Sequence, residues 1–268
     1  MDMIVCQNLT KRFGALHAVD NMNLRVAQGE LFGFLGPNGA GKTTSIKMMT
    51  GLIAPTSGSA YIGGYDVQEQ PLQAKRVLGY VPDNPFLYEK LTGREFLHFM
   101  ADLYDVPVEG RSGRIADLLR LFELEEKGDA LIQGYSRGMR QKIAIAGALI
   151  HHPGVLFLDE PTVGLDPRGT RLLHDVLRAI CRRGTTVLIS THILEIAERL
   201  CDRVGIMHRG RLVAVGTMDE LRATVARDGH GTGHHPYVTQ EGTDYSLEDI
   251  FLTLTGGAET QNRVQYPG

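Results

Sequence analysis

Nine consecutive residues, Gly36-Pro-Asn-Gly-Ala-Gly-Lys-Thr-Thr44, constrain the fold of this chain more than any other stretch. They fit the template Gly-x4-Gly-Lys-Thr of a phosphate-binding loop. Glycines let the backbone curl so that successive N–H groups point inward at phosphate oxygens, and the helix that follows turns its positive N-terminal end toward the same anion. Lys42 supplies a charge for β- and γ-phosphates, and Thr43 a hydroxyl for Mg²⁺. Pro37, Asn38, Gly39, Ala40 and Thr44 complete the cradle. The competing reading, a tight strand-to-helix turn without a ligand, is disfavoured by context: Leu31 to Leu35 has the apolar density of a strand buried on both faces, as the motif requires immediately upstream.

Around the loop, short β-type runs at Ile4–Cys6, Asn23–Val26 and Ala60–Ile62 are separated by Gly29, Pro55 and Gly58. From about residue 85 to 134 the spacing becomes helical, with Phe96, Leu97, Met100 and Leu103 on one face, then Ile115, Leu118, Leu119 and Phe122. Thr92 and Glu95 form a capping box at the start of this helical insert. Residues 155 to 215 return to alternation: a strand at Val155–Leu158, a helix from Pro167 to Arg183, a strand at Thr186–Ser190, a helix from Ile193 and a hairpin around His208 to Arg211. Asp166 as N-cap, Pro167 and Gly184 bracket the middle helix. Strands alternating with helices imply a largely parallel sheet. A helix from Met218 to Arg227, a glycine- and histidine-rich linker and a short helix at Ser246–Thr255 close the chain.

A second chemical element narrows the choice among phosphate-loop proteins. Val155-Leu-Phe-Leu-Asp-Glu160 is an apolar strand ending in two acids, and two carboxylates at the mouth of a buried strand are costly without a cation. Asp159 reads as the Mg²⁺ holder and Glu160 as the group that polarises an attacking water. A pair of helix-capping acids is the plain alternative.

Together with Tyr135-Ser-Arg-Gly-Met139, Gly164-Leu-Asp-Pro167 and Ser190-Thr-His192, these blocks resemble an ATP-binding cassette (ABC) ATPase, in the family's order, over residues 1 to about 225. The resemblance implies an α/β fold: a P-loop NTPase (RecA-like) parallel sheet core with an antiparallel β lobe and a helical insert subdomain. The core and β lobe would be residues 1–84 and 150–225, the helical and signature subdomain 85–149, and the C-terminal linker and short helix 226–268. It also implies that ATP and Mg²⁺ are bound, that ATP is hydrolysed, and that two copies dimerise head to tail, so that the signature of one copy (Ser136, Arg137, Gly138, Met139) faces the phosphate loop of the other. Ser136 reads as a helix N-cap as well. His192 matches the family's switch histidine beside Glu160, Phe13 the ring that stacks on adenine, and Asp166 the segment linking the two sites. Two departures stand out. Asp83 occupies the position of the family's usual glutamine, where it would meet Mg²⁺, with Asn84 as its rival; and the common Leu-Ser-Gly-Gly-Gln becomes Tyr-Ser-Arg-Gly-Met.

The tail Ser246-Leu-Glu-Asp-Ile-Phe251 is similar to that of bacterial drug-export cassettes, which implies an integral membrane permease as partner and a place on the cytoplasmic face of the cell membrane. Residues 82–93 with the helical insert would receive a short helix of that partner, and Phe86, Leu87 and Tyr88 suit such docking, although core packing explains them nearly as well. A soluble ABC ATPase acting on the ribosome or DNA is the alternative. Against nucleic acid stand 28 basic residues balanced by 31 acidic ones, a net charge of −3 and no long basic run. A GTPase or small-molecule kinase is weaker still, since no Asn-Lys-x-Asp motif occurs. No apolar run approaches the roughly 18 residues of a membrane helix. Cys6, Cys181 and Cys201 read as reduced structural thiols. The trio His230, His234 and His235 lacks carboxylate or thiolate neighbours and reads as a solvated linker rather than a metal site.

Overall fold

The structure is a computed structural model that describes residues 1–228, 238–239, 242–243 and 245–255. The chain opens with an antiparallel pair, β1 (Asp2–Phe13) and β2 (Leu16–Ala27), each far longer than its apolar centre. Ile4 and Cys6 on β1, with Met22, Leu24 and Val26 on β2, alternate inward while their neighbours meet solvent. The extra length depends on irregularities: the register shifts between Cys6 and Leu9, and Asn8 and Asn21 both take φ of 50°. Asparagine tolerates that left-handed backbone better than most residues, so the ribbon bends without ending.

β3 (Leu31–Leu35) leads into the glycine loop and α1 (Lys42–Met49). There follow β4 (Ser57–Ile62), β5 (Tyr65–Asp66), α2 (Pro71–Val77) and β6 (Leu78–Val81). The helical insert supplies α3 (Gly93–Leu103), α4 (Arg111–Leu121) and α5 (Arg137–Leu149). The chain then alternates through β7 (Val155–Asp159), α6 (Pro167–Arg182), β8 (Thr186–Thr191), α7 (Leu194–Leu200), β9 (Arg203–His208), β10 (Arg211–Gly216) and α8 (Met218–Asp228). A two-residue pair, β11 (Val238–Thr239) with β12 (Gly242–Thr243), and α9 (Leu247–Thr255) complete the described elements.

Two sheets organise these parts. The larger runs β10-β9-β3-β8-β7-β6 and is parallel except at its β10–β9 edge; the smaller, β2-β1-β4-β5, is antiparallel throughout. Every residue of β3, β7 and β8 is buried, because both faces of the parallel sheet are covered. Leu31, Leu156, Leu158, Val187 and Ile189 point to the face packed by α3, α4, α5 and α6. Phe32, Phe34, Phe157 and Leu188 point to the other, against α1 and the antiparallel lobe.

Local signals hold where they are self-contained. The capping box at α3 forms in both directions: the Glu95 N–H donates to Thr92 Oγ1 at 3.2 Å and the Thr92 N–H to the Glu95 carboxylate at 2.8 Å. Asp166 caps α6 by accepting from the Gly169 N–H at 2.7 Å. The last helix is not an appendage, since Leu247 and Ile250 are fully buried with Leu35, Ala197, Ile206 and Leu221. His230, His234 and His235 lie outside the described residues.

Candidate functional site

The phosphate loop leaves the fully buried β3 and enters α1 through Gly41, whose φ of 107° excludes an L side chain. A Cβ there would also fall 2.4 Å from the Ala18 carbonyl oxygen. The loop is braced from outside: the Gly210 N–H donates to Ala40 O at 2.9 Å and the Asp20 N–H to Gly210 O at 2.8 Å, so β2 and the β9–β10 turn hold its far side. No side chain caps α1. The first N–H groups of a helix have no intrahelical acceptor, so this end is built to take an anion. Lys42 is buried, and its ammonium donates to Gly36 O at 2.6 Å and more weakly to Pro37 O at 3.4 Å.

The two acids sit where β7 emerges. Asp159 is 2% exposed and accepts a hydrogen bond from the Ser190 hydroxyl at the end of β8. Glu160 takes φ of 50°, an uncommon conformation for a glutamate, and its N–H donates to Ser190 Oγ at 3.1 Å. Its carboxylate bridges two groups: Oε1 lies 3.7 Å from Lys42 Nζ, and Oε2 accepts from His192 Nδ1 at 2.9 Å. Lys42, Glu160 and His192 thus form a line from the floor of the loop to solvent.

Phe13, Leu16, His17, Ala18, Pro37, Asn38, Gly39, Gly41, Lys42, Thr43, Thr44, Asp83, Glu160, Arg209 and Gly210 line one cleft of about 590 Å³. Phe13, at the tip of β1, is half exposed with Lys11 Nζ 5.1 Å from its ring centroid. Asp83 lines the cleft and Asn84 does not. Five lining residues, Leu16, His17, Ala18, Arg209 and Gly210, had no motif to mark them. The first three follow Phe13 across one turn and could have been found from that proximity, whereas the last two arrive only through tertiary folding. Ser190, the partner of both acids, stands directly before Thr191-His192 and was legible as part of that block.

The residues fit a hard divalent cation. Asp159 is a buried carboxylate with no ion-pair partner among the described residues, which is unfavourable unless a cation is nearby. The phenol of Tyr80 is buried without a hydrogen-bond acceptor, and burial followed by the carboxylates of Asp159 and Asp83 pushes its pKa above the ordinary tyrosine value. Asp159, Asp83 and the Thr43 hydroxyl are hard oxygen donors of the kind that Mg²⁺ prefers, and Asp83 and Thr43 both line the cleft.

The signature residues are elsewhere. Ser136 caps α5 by accepting from the Met139 N–H at 3.3 Å, and Ser136 and Arg137 face solvent. None of Ser136, Arg137, Gly138, Met139 or Asp166 lines the cleft of their own chain. Gly138 packs instead on the Gly164 turn, where a Cβ would stand 3.0 Å from Gly164 O.

This arrangement matches known proteins. The ABC transporter family model matches residues 19–163, more than half of the chain. Probable multidrug ABC transporter ATP-binding protein YbhF of Escherichia coli (strain K12) is 40% identical over 252 residues, 94% of this chain and 41% of that protein. The chain therefore spans less than half the length of that relative. Daunorubicin resistance ATP-binding protein DrrA3 of Streptomyces coeruleorubidus is 40% identical over 84% of this chain and 71% of its own length. Among solved structures, an ATP-binding subunit of an ABC transporter superposes with a TM-score of 0.84 at 32% identity, covering 94% of this chain and 99% of that one. The dimeric structure of the bacterial ABC transporter cassette MJ0796 gives 0.75 at 27% identity, covering 80% and 98%. On the match of the family model, the similarity to relatives along nearly all of its length and a fold shared with solved cassettes, the chain belongs to the ABC transporter ATP-binding family.

Proposed function

We propose that this chain is the ATP-hydrolysing subunit of an ABC exporter, working as two head-to-tail copies on the cytoplasmic face of a membrane permease. The observation that carries the two-copy reading is the separation of the site into halves: the phosphate loop, Asp83 and Glu160 line one cleft, with His192 bonded to Glu160 and Asp159 joined to it through Ser190, while Ser136 to Met139 neither line the cleft nor bond to these residues. A second copy supplies the missing wall. Export, in place of action on ribosomes or DNA, is supported by the multidrug and daunorubicin-resistance relatives and by the nearly balanced charge. No helix among the described residues is long and apolar enough to cross a membrane, so a permease would be contacted from outside. Phe86, 95% exposed, and Tyr88, edge-on to Phe99 at 5.0 Å between ring centroids, offer apolar surface for it, whereas Leu87 turns into the core.

Each side chain has a task in hydrolysis. Phe13 stacks on the base. Lys42, which holds Gly36 O and Pro37 O, turns to the β- and γ-phosphate oxygens, and the loop N–H groups bind the rest of the chain of phosphates. Thr43, Asp159 and Asp83 would hold Mg²⁺, which neutralises developing charge on the phosphates. Glu160 takes the proton of the attacking water, and His192, donating to its carboxylate, orients it and reaches for the γ-phosphate. Ser136 and Gly138 of the second copy close over that phosphate, and Asp166 lies in the segment that couples the two sites.

The test is steady-state ATP hydrolysis as a function of protein concentration, for the native chain and Glu160→Gln. Specific activity is expected to rise with concentration, and the variant to lose about 10²- to 10⁴-fold, the range for a lost general base. Specific activity independent of concentration would sink the two-copy reading; an unimpaired Glu160→Gln would sink the catalytic assignment.

A further inference from the structure

Tyr80 carries an oxygen that the fold does not use. It is the third residue of β6, opposite Phe157 of β7 in the parallel register, and with Leu78 it points to the face of the sheet that packs on α1 and the antiparallel lobe. Gly79 and Val81 point the other way, where a Cβ at Gly79 would fall 2.7 Å from Ala148 O. The ring of Tyr80 fills a place in that core that a phenylalanine could fill as well. Its hydroxyl is nevertheless shut off from solvent and has no hydrogen-bond partner among the described residues, which is unfavourable for a polar group. Near it lie the two acids. Asp159 follows Phe157 by two residues on β7, so it shares that face of the sheet about 7 Å further along, and Asp83 follows Tyr80 by three as the chain leaves β6. Ser190 donates to Oδ1 of Asp159 and orients it from β8, while Oδ2 has no donor among the described residues. Burial, then the carboxylates of Asp159 and Asp83, hold the phenol above the ordinary tyrosine value, so the oxygen keeps its proton and is a donor.

We infer that Tyr80 is a positioning residue of the cation site, its O–H donating into the shell of oxygens that Asp159, Asp83 and Thr43 would place around Mg²⁺ and so fixing the two acids for the metal. The inference rests on the Mg²⁺ assignment proposed above. Ser190 from β8 and Tyr80 from β6 then stand on either side of Asp159, each with one hydroxyl. Outer groups of this kind orient the ligands that touch a metal, and losing one costs about 10- to 100-fold in metal affinity. The orphaned hydroxyl weakens the metal-free chain and strengthens the metal-bound one, an opposition that a ring present only for packing would not produce.

The experiment compares the native chain with Tyr80→Phe by thermal melting without ligand, with saturating ADP, and with ADP plus Mg²⁺, and by electron paramagnetic resonance of Mn²⁺ added to the ADP-bound chain. Tyr80→Phe should melt no lower than the native chain without ligand, gain the same increment from ADP alone, gain less from Mg²⁺, and bind Mn²⁺ about 10- to 100-fold more weakly. A Mg²⁺ increment and a Mn²⁺ affinity equal to those of the native chain overturn the role of Tyr80 and leave the Mg²⁺ assignment standing. A lower melting temperature without ligand means that the hydroxyl serves the fold, and overturns the role as well. So does loss of the ADP increment along with Mn²⁺ binding, since the substitution then disturbs the phosphate loop as a whole. A native chain whose ADP complex holds Mn²⁺ no more tightly than ADP does in solution overturns the Mg²⁺ assignment and this inference together.

Discussion

In the proposed function two helices of this chain turn their N-termini toward phosphate, and they are built on opposite plans. α1 begins at a left-handed glycine with no side-chain cap, inside a loop braced by β2 and the β9–β10 turn. α5 begins at Ser136, whose hydroxyl already accepts from the Met139 N–H. The first end leaves its donors for a ligand, so its stability depends on that ligand. The second is complete as a piece of fold and meets nucleotide only as part of a surface. On the proposed reading a single chain would contain one committed phosphate site and one face that contributes to a site elsewhere.

The sharpest way to break this comparison is to damage each end alone. Lys42→Ala removes the ammonium that reaches the phosphates and should lower turnover by roughly 10³-fold, at the upper end for loss of one preorganised donor, with nucleotide binding by single copies lost in parallel. Ser136→Ala should cost about 1 kcal/mol through the missing cap and lower turnover by far less, while single copies still take up a fluorescent ATP analogue. Equal loss of nucleotide binding in both variants would erase the distinction between the two ends.

Ligand-linked stability gives the next effect. ATP–Mg²⁺ at about 100 times its dissociation constant stabilises the native state by roughly 2.7 kcal/mol, which for a chain of this size corresponds to about 5–10 °C in melting temperature. The native chain and Ser136→Ala should both show the rise, and Lys42→Ala should not. A rise retained in Lys42→Ala would mean that α1 is not the committed end.

A smaller effect separates the glycines beneath the two ends. Gly41 cannot accept a side chain because a Cβ meets the backbone oxygen of Ala18, which has nowhere to go. At Gly164 a Cβ meets the stem of Arg137, which can swing aside, so Gly164→Ala should cost only the left-handed strain, about 1–2 kcal/mol by chemical denaturation. Gly41→Ala should cost more and abolish nucleotide binding. The comparison fails if Gly164→Ala is the more damaging of the two.

The same contrast explains what could be read in the sequence. The Thr92–Glu95 box and the Asp166 cap are local, each satisfied within a few residues, and the phosphate loop is one contiguous motif although its bracing comes from far along the chain, so spacing alone reveals all three. The antiparallel lobe was read too short, at Ile4–Cys6 and Asn23–Val26, because strands of twelve residues with left-handed Asn8 and Asn21 are stabilised by cross-strand pairing that no short window contains. α2 and β6 carry no signal of their own in the pattern. β6 is a four-residue edge strand whose partner, β7, is some 75 residues away in the chain, a separation that pattern alone does not bridge. Asp83 against Asn84 was undecided in sequence, and only the path of the chain after β6 brings Asp83 to the cleft wall. Arg209 and Gly210 reach the site by the same long-range route.

The smallest effect tests the joint between the two regions. His151, just after α5, stacks on Tyr104 at the end of α3 with 3.7 Å between ring centroids, and its Nε2–H donates to Leu78 O at the start of β6, so the insert is pinned to the core through one imidazole. Burial pulls the His151 pKa down to about 4, with a smaller opposing effect from the Leu78 carbonyl and further lowering by Arg114 and His152. The folded state therefore takes up this proton later than the unfolded state does, whose value is near 6.5. The sign follows directly: the contribution is flat above about pH 6.5, and stability falls as pH drops from 6.5 toward 4 because protons favour the unfolded chain. His151→Phe keeps a ring against Tyr104 but cannot titrate. Denaturation midpoints at pH 7.5 and 5.0 should therefore differ less in the variant than in the native chain, although the variant is weaker at pH 7.5 for want of the bond to Leu78. An undiminished difference would assign the acid sensitivity to His152 or His174, which burial also lowers, and would remove His151 as the pin between insert and core.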